Sequence, residues 1–462
     1  MPPHRQTPGH TARDRATRGT AVTDGSLPPV TTDPVPTSGA PDERHTRRVL
    51  VYLAAALVAG GMPVHEVEAD VRRCARAMGQ PGCQLSALPT GVSLSLGYGS
   101  AATFEAVEGP LRLDQSAEVN VIQRGLESGS MSPTAALERL VALRARPHRY
   151  RVRGLYAGGA LVAFGIAMIL QPSLRSVAFA VACSPLVVLL MRYSGRHQLL
   201  SILFPSVAAF LVSLAAFWCA RAGWVPGPLR TLLPPLAVLL PGGLIVTGLS
   251  ELAATAMVAG TSRLVYGASQ LLLFALGVGA AAVLLEVPPQ MLANVRAHEI
   301  GWWAPVLGLP VLTVGMSLME SVPPRLVPWV LLILAGTFTA QVVGQALVPS
   351  PWFGAFLGAV AASFGARAVE AVRPRLPRLV VFLPSFWLLV PGSLGLMSVT
   401  QLGLEPGLAS STLGLSVGVV CGTAIGLVVG SSVASAAWFL GRVSRYQLRR
   451  RRPSPGSDPT AG

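Results

Sequence analysis

No lysine occurs among the 462 residues, so each of the 36 basic side chains is an arginine. Charge is scarce altogether. Asp, Glu, Lys and Arg make up 12% of the chain, where soluble domains carry roughly a quarter. That excludes an ordinary cytosolic enzyme. A disordered chain is excluded too, because 51% of the residues are hydrophobic and mean hydropathy is +0.55. Cysteine is sparse and odd in number: Cys74, Cys83, Cys183, Cys219 and Cys421. None has a second cysteine or a histidine at metal-ligand spacing, so neither a disulfide framework nor a metal site is expected. His-Glu-x-x-His, P-loop and Cys-x-x-Cys motifs are missing. The glycine-rich stretches lack the strand-then-helix setting of a nucleotide loop. Cofactor chemistry, transport driven directly by ATP in this chain, and enzymatic turnover are therefore not expected.

What the chain has is apolar length. Residues 1–43 are rich in Pro, Thr, Gly, Asp and Arg and read as a disordered tail. Residues 44–150 are mixed and read as a small α+β domain. Val49 to Gly61 is apolar but too short to cross a bilayer, so it reads as a buried helix closed by Gly60-Gly61. Pro63 opens a second helix in which Val64, Val67, Val71 and Cys74 recur at helical spacing, and Gly79 ends it. Cys83 to Gly99 alternates in part and suggests paired strands. Ser132-Pro133 has the form of an N-cap followed by Pro at N1, opening a helix through Arg146.

From Gly154 to Gly441 about ten segments have the roughly 20-residue length of a membrane span. They fall near 154–171, 173–191, 198–220, 229–251, 264–285, 301–319, 326–344, 351–370, 378–400 and 411–440. With residues 44–150 placed in the cytoplasm, Arg149, Arg151, Arg153, Arg192, Arg263, Arg325, Arg367 and the run in the basic tail 442–462 fall inside. Only Arg175, Arg221, Arg230 and Arg296 fall outside. This bias predicts that both termini are cytoplasmic. The net charge of +15 then reports topology and not nucleic-acid binding.

Leu233–Leu252 is similar to Leu383–Leu402 at an ungapped offset of 150, with Pro234/Pro384, Pro241/Pro391 and Gly242/Gly392 identical. Gly158/Gly308 and Gly165/Gly315 keep the same offset. The two segments are five spans apart, so they point in opposite directions. We therefore expect a polytopic α-helical membrane protein whose residues 151–300 and 301–441 form two inverted five-helix repeats.

A proline inside a span removes a backbone hydrogen bond and frees a carbonyl. Such a break is tolerable at membrane depth only around protein or a polar cavity. Its freed N–H groups and carbonyls suit the carboxylate and ammonium of an amino acid. Candidate substrate-binding residues are Pro241, Gly242, Gly243, Thr247, Ser250, Arg263, Pro391, Gly392, Ser393 and Gln401. Glu251, an ionisable group within a span, is the candidate proton-coupling carboxylate. Glu286 and Glu320 sit at span ends and read as solvated. A membrane-anchored regulatory or scaffold protein without transport, and a carrier of another small metabolite or peptide, are the competing readings.

At these residues the chain resembles the threonine/serine exporter family over roughly residues 45 to 440. The resemblance rests on Ala59–Gly79, on Leu88–Leu96, on Leu239–Gly267 with its Gly260-x-x-Arg263 run, and on Phe382–Ser393. It implies a bacterial inner-membrane exporter of threonine and serine driven by the proton motive force, with a bilayer, protons, an amino acid and a possible second copy as partners. Glu68 and Thr90 would be the motif residues of the cytoplasmic domain. The loop Leu170–Ser176 lacks the family's Gly-rich, Trp-containing pattern, and Glu251 stands where an Asp is associated with the family.

Overall fold

The computed structural model describes residues 41–195, 198–293, 299–372, 382–389, 391–404 and 406–450. The chain folds from a helical and sheet-bearing N-terminal unit into a long helical bundle.

The N-terminal unit is built around α1 (Pro41–Ala59), whose Val49, Leu50, Leu53, Leu57 and Val58 are buried. The second half of this helix is apolar on all sides, so it must lie in a core. Gly61 stops it with a left-handed φ of +88°. Pro63 precedes α2 (Val64–Ala77), which buries Val64, Val67, Val71 and Cys74 against α1 as the spacing predicts. Gly79 follows at φ +77°.

Strands β1 (Gln84–Leu88), β2 (Gly91–Ser95) and β3 (Thr103–Ala106) form an antiparallel meander, with Leu85↔Leu94 and Val92↔Glu105 in register. The first two are the expected pair, and the third was not foreseen. Leu85, Ala87, Val92 and Leu94 face the core, alternating with exposed or partly exposed residues. Helices α3 (Leu113–Glu127) and α4 (Pro133–Ala142) complete the unit. Ser132 caps α4 by accepting from the Ala135 N–H at 3.3 Å.

The bundle comprises α5 (Arg151–Leu170), α6 (Leu174–Ser194), α7 (Gln198–Arg221), the short α8 (Pro228–Thr231) and α9 (Leu233–Leu236), and α10 (Gly242–Ala253). It continues through α11 (Met257–Leu284), α12 (Ala304–Met319), α13 (Val327–Leu347), α14 (Pro351–Val372), α15 (Pro384–Leu389), α16 (Pro391–Leu404) and α17 (Pro406–Arg450). Among the described residues, seven helices are long and apolar enough to cross a membrane, or eight if the bent pair Pro228–Leu239 and Gly242–Ala253 is one span. The ten expected segments therefore do not all become full-length helices. The segment near 301–319 holds a helix of 16 residues, and part of the one near 378–400 lies outside the described residues. Large apolar side chains stay exposed on the outer faces, among them Leu272, Leu276 and Val283 of α11. In water these would be a liability, but against lipid they cost nothing.

Glycines set the closest helix crossings. Helices α5 and α12 run antiparallel, Gly158 opposite Gly315 and Gly165 opposite Gly308. A methyl group on Gly158 would lie 2.8 Å from the Gly315 carbonyl oxygen, and one on Gly165 2.7 Å from that of Gly308. In α11, Gly277 lies against Ser206 and Ala209 of α7. In α17, Gly426 lies against Phe356 and Ala359 of α14. Small residues at such crossings let backbones approach within a membrane.

Candidate functional site

The chain breaks where the sequence predicts. Pro241 separates the segment ending at Leu239 from α10, and the two axes bend by 67°. A methyl on Gly243 would meet nothing within 4 Å, so the break opens onto space. That space is a cavity of about 200 Å³ lined by Gly242, Gly243, Leu383, Pro384, Glu320, Leu111 and Leu113, among others. The first break thus lies beside residues preceding the second, and beside the start of α3 in the N-terminal unit. Pro391 opens α16, but the surroundings of Pro391, Gly392 and Ser393 lie outside the described residues.

Glu320 is only partly exposed, where the sequence suggested a solvated carboxylate. It lines this cavity, and burial pushes its carboxyl up to about 7. The Leu113 N–H pulls the value down, nearby Asp114 raises it, and Arg112 lowers it. The length of α12 places Glu320 at its C-cap, partly exposed and beside the start of α3 in the N-terminal unit.

At the other end of α10, Glu251 is fully buried. Its Oε1 accepts from the Val64 N–H at 2.9 Å, at the first residue of α2. Its Oε2 lies 3.1 Å from Nε of Arg263, which is 8% exposed. The ion pair is electrostatically close but incompletely hydrogen-bonded: Arg263 Nη2 has no hydrogen-bond partner among the described residues. Helices α10 and α11 come close enough for this because Gly248 and Gly260 face one another, a methyl on either lying within 2.9 Å of the other's carbonyl oxygen. Helix α10 therefore bonds the N-terminal unit at one end and shares a cavity wall with it at the other.

Thr247 and Ser250 are both buried, and the Ser250 hydroxyl donates to the Thr247 carbonyl at 2.8 Å. They line a second cavity of about 150 Å³ together with His65, Glu66, Ser363 and Arg367. Gln401 lies elsewhere: its Nε2 donates to the Leu292 carbonyl at 3.2 Å. It is buried, but it lines neither cavity.

Glu68 has a local task. One carboxylate oxygen accepts from the Ala87 N–H at 3.2 Å and the other from Arg72 at 3.0 Å, tying α2 to β1. Thr90 is exposed in the turn between β1 and β2, where its carbonyl accepts from the Val107 N–H. Neither lines the two cavities.

Two features escaped the sequence reading. Glu66 and Arg367 were submerged among motif and topology residues, yet they form an ion pair between α2 and α14 at 3.6 Å. A second such pair, Arg124 with Glu370 at 2.5 Å, ties α3 to α14. A Gly414-x-Ser416-x-Gly418 pattern also occurs, but within the continuous helix α17. There Ser416 shares a hydrogen bond with Ser398 at 2.5 Å and is no nucleophile elbow.

Residues 48–285 match the family model for the threonine/serine exporter, ThrE. That range runs from within α1 to the end of α11 and includes Glu251, Arg263 and the first helix break. No curated protein and no solved structure matched significantly.

Proposed function

The chain belongs to the threonine/serine exporter family, and from that premise we propose that it exports threonine and serine by alternating access, outward movement of the amino acid being coupled to inward movement of protons. The carrying observation is the 67° break at Pro241, which places the Gly242-Gly243 backbone on the wall of a cavity within an apolar bundle. Broken helices of this kind are how secondary carriers present N–H and carbonyl groups to a charged solute. A scaffold without transport gains nothing from one.

Two inverted halves, residues 151–300 and 301–441, form the core in this reading. Three contacts support it. Shifting the Gly158–Gly315 contact by 150 residues, with the partners exchanged, gives Gly308–Gly165, which is the other contact of the same crossing. Shifting Ser206 and Ala209 gives Phe356 and Ala359, the residues that lie against Gly426 as the first two lie against Gly277. Helix α10 packs on α17, and α11 on α16, as a two-fold relation requires. Both termini and residues 44–150 lie in the cytoplasm, on the arginine bias.

The substrate contacts are the groups at the first break and along α10 and α11 (Pro241, Gly242, Gly243, Thr247, Ser250, Arg263) and their counterparts in the second half (Pro391, Gly392, Ser393, Gln401). Glu251 carries the coupling proton. Its contact with Val64 supplies a route by which protonation would loosen the N-terminal unit, because a neutral carboxyl accepts from the Val64 N–H more weakly than a carboxylate does.

The test is efflux from cells loaded with a threonine dipeptide. Cells expressing the protein should release threonine faster than cells lacking it, and Glu251→Gln should abolish the dependence of the rate on external pH. Equal rates with and without the protein would refute the function. A Glu251→Gln variant with wild-type rates at every pH would refute the coupling role alone.

A further inference from the structure

The cavity at the start of α2 has a composition that its neighbours in the bundle lack. One wall comes from the N-terminal unit, with Pro63, His65 and Glu66. The others come from α10, α14 and α17, with Thr247, Ser250, Ser363 and Arg367. One carboxylate, one guanidinium and several hydroxyls thus converge on about 150 Å³. Sites for drug-sized ligands run from about 300 to 1,000 Å³, so this one suits a solute of a few heavy atoms and not a peptide.

The charges are set apart in a particular way. Both Glu66 and Arg367 line the cavity, with Glu66 Oε1 and Arg367 Nη2 3.6 Å apart, beyond the 2.7–2.9 Å of a tight charge-assisted hydrogen bond. His65 lines the same cavity, and its Nδ1 is buried with no hydrogen-bond partner among the described residues. A buried polar atom without a partner is costly unless something arrives to satisfy it.

We propose that this cavity is the cytoplasmic loading site for the exported amino acid, with Arg367 receiving its α-carboxylate, Glu66 its α-ammonium and His65 its β-hydroxyl. This rests on the exporter reading above and deepens it. A zwitterion that parts Glu66 from Arg367 replaces their one long ion pair with two short ones. Arginine suits the carboxylate end because its planar fork matches two oxygens at once. The hydroxyls of Thr247, Ser250 and Ser363 complete a polar lining that admits serine and threonine. Alanine would leave His65 unsatisfied, and a site built to bond a hydroxyl rejects the analogue that lacks it. Because Glu66 and His65 belong to the N-terminal unit, the site exists only while that unit is docked, so undocking releases substrate contacts at the same moment.

The experiment uses the full-length protein in proteoliposomes, with labelled L-threonine flux and three competitors: L-alanine, 1-amino-2-propanol without the carboxylate, and 3-hydroxybutyrate without the ammonium. Arg367→Gln should raise the half-saturating threonine concentration about tenfold or more, the effect of one charge-assisted bond. It should also erase the preference for threonine over 1-amino-2-propanol. Glu66→Gln should erase the preference over 3-hydroxybutyrate, and His65→Phe the preference over alanine. The exchanged pair Glu66→Arg with Arg367→Glu rebuilds a purely structural tether, so recovery of wild-type flux there would overturn the site. Unchanged half-saturation and competitor preference in the single variants would also overturn it while leaving the exporter reading standing. A wild-type protein that moves neither threonine nor serine would overturn the exporter reading and the site together.

Discussion

Removing Glu251 leaves Arg263 as a guanidinium 8% exposed, facing no charge at the junction of α10 and α11. Breaking a buried pair by deleting one partner costs about 3–5 kcal/mol, because the survivor keeps its desolvation penalty and loses its attraction. Glu251→Gln keeps an oxygen for the Val64 N–H and should fall at the low end of that range. Glu251→Ala also strands that N–H and should cost about 1–3 kcal/mol more. Arg263→Gln leaves the opposite charge exposed to the same penalty. The double variant Glu251→Gln with Arg263→Gln removes both charges, so it should be more stable than the single variants would sum to, by about 2 kcal/mol or more. The assay is unfolding in a fixed detergent at neutral pH, with limited proteolysis of residues 41–142 as a second readout. The single variants should unfold some degrees earlier and lose protection of the N-terminal unit together, since Val64 is held by the same carboxylate. Additive single effects, agreeing within about 0.5 kcal/mol, would refute the claim that the pair works as one unit.

Glycine crossings give a second prediction. Gly158→Leu and its counterpart Gly308→Leu should both abolish folded expression, because each places a side chain within 3 Å of a backbone carbonyl; size-exclusion profiles decide it. Gly243→Ala should behave oppositely. It adds helix propensity of about 0.5–1 kcal/mol and meets no atom within 4 Å, so thermal stability should hold or rise while threonine flux falls. Glu320 makes stability depend on pH with a defined sign. Its folded-state value lies above the ordinary 4.5, at about 7, so ionising it costs up to about 3 kcal/mol, a penalty that grows from pH 4.5 and is complete above 7. Glu320→Gln should therefore match the wild type at pH 5 and exceed it at pH 8 in thermal unfolding.

Local signals were legible where one residue dictates one conformation. Gly61 and Gly79 ended helices at positive φ, Ser132-Pro133 opened one, and Pro241 broke one. The spacing of Val64, Val67, Val71 and Cys74 named the buried face of α2 before any contact was known. Long-range pairing was not legible. Nothing in the sequence near Glu320 announces that α3 begins beside it, because the contact joins positions some two hundred residues apart. Arg367 looked like a topology marker because arginines at span ends usually are, and only the docking of α2 supplies Glu66 as its partner. Helix α3 was missed because its buried face includes Gln115, Ser116 and Gln123 beside the apolar residues, which blurs the periodicity. The segment near 301–319 holds a helix shorter than a full span because Gly301, Trp302 and Trp303 stay outside α12, which begins at Ala304 and stops at Met319.

The most direct measurement is counterflow and gradient-driven uptake in proteoliposomes holding the purified full-length chain. The account predicts that labelled threonine and serine exchange across the bilayer, and that an imposed pH gradient drives their net movement against the direction of proton flow. Vesicles that exchange neither amino acid, or that exchange them with a net flux indifferent to the gradient, would contradict it.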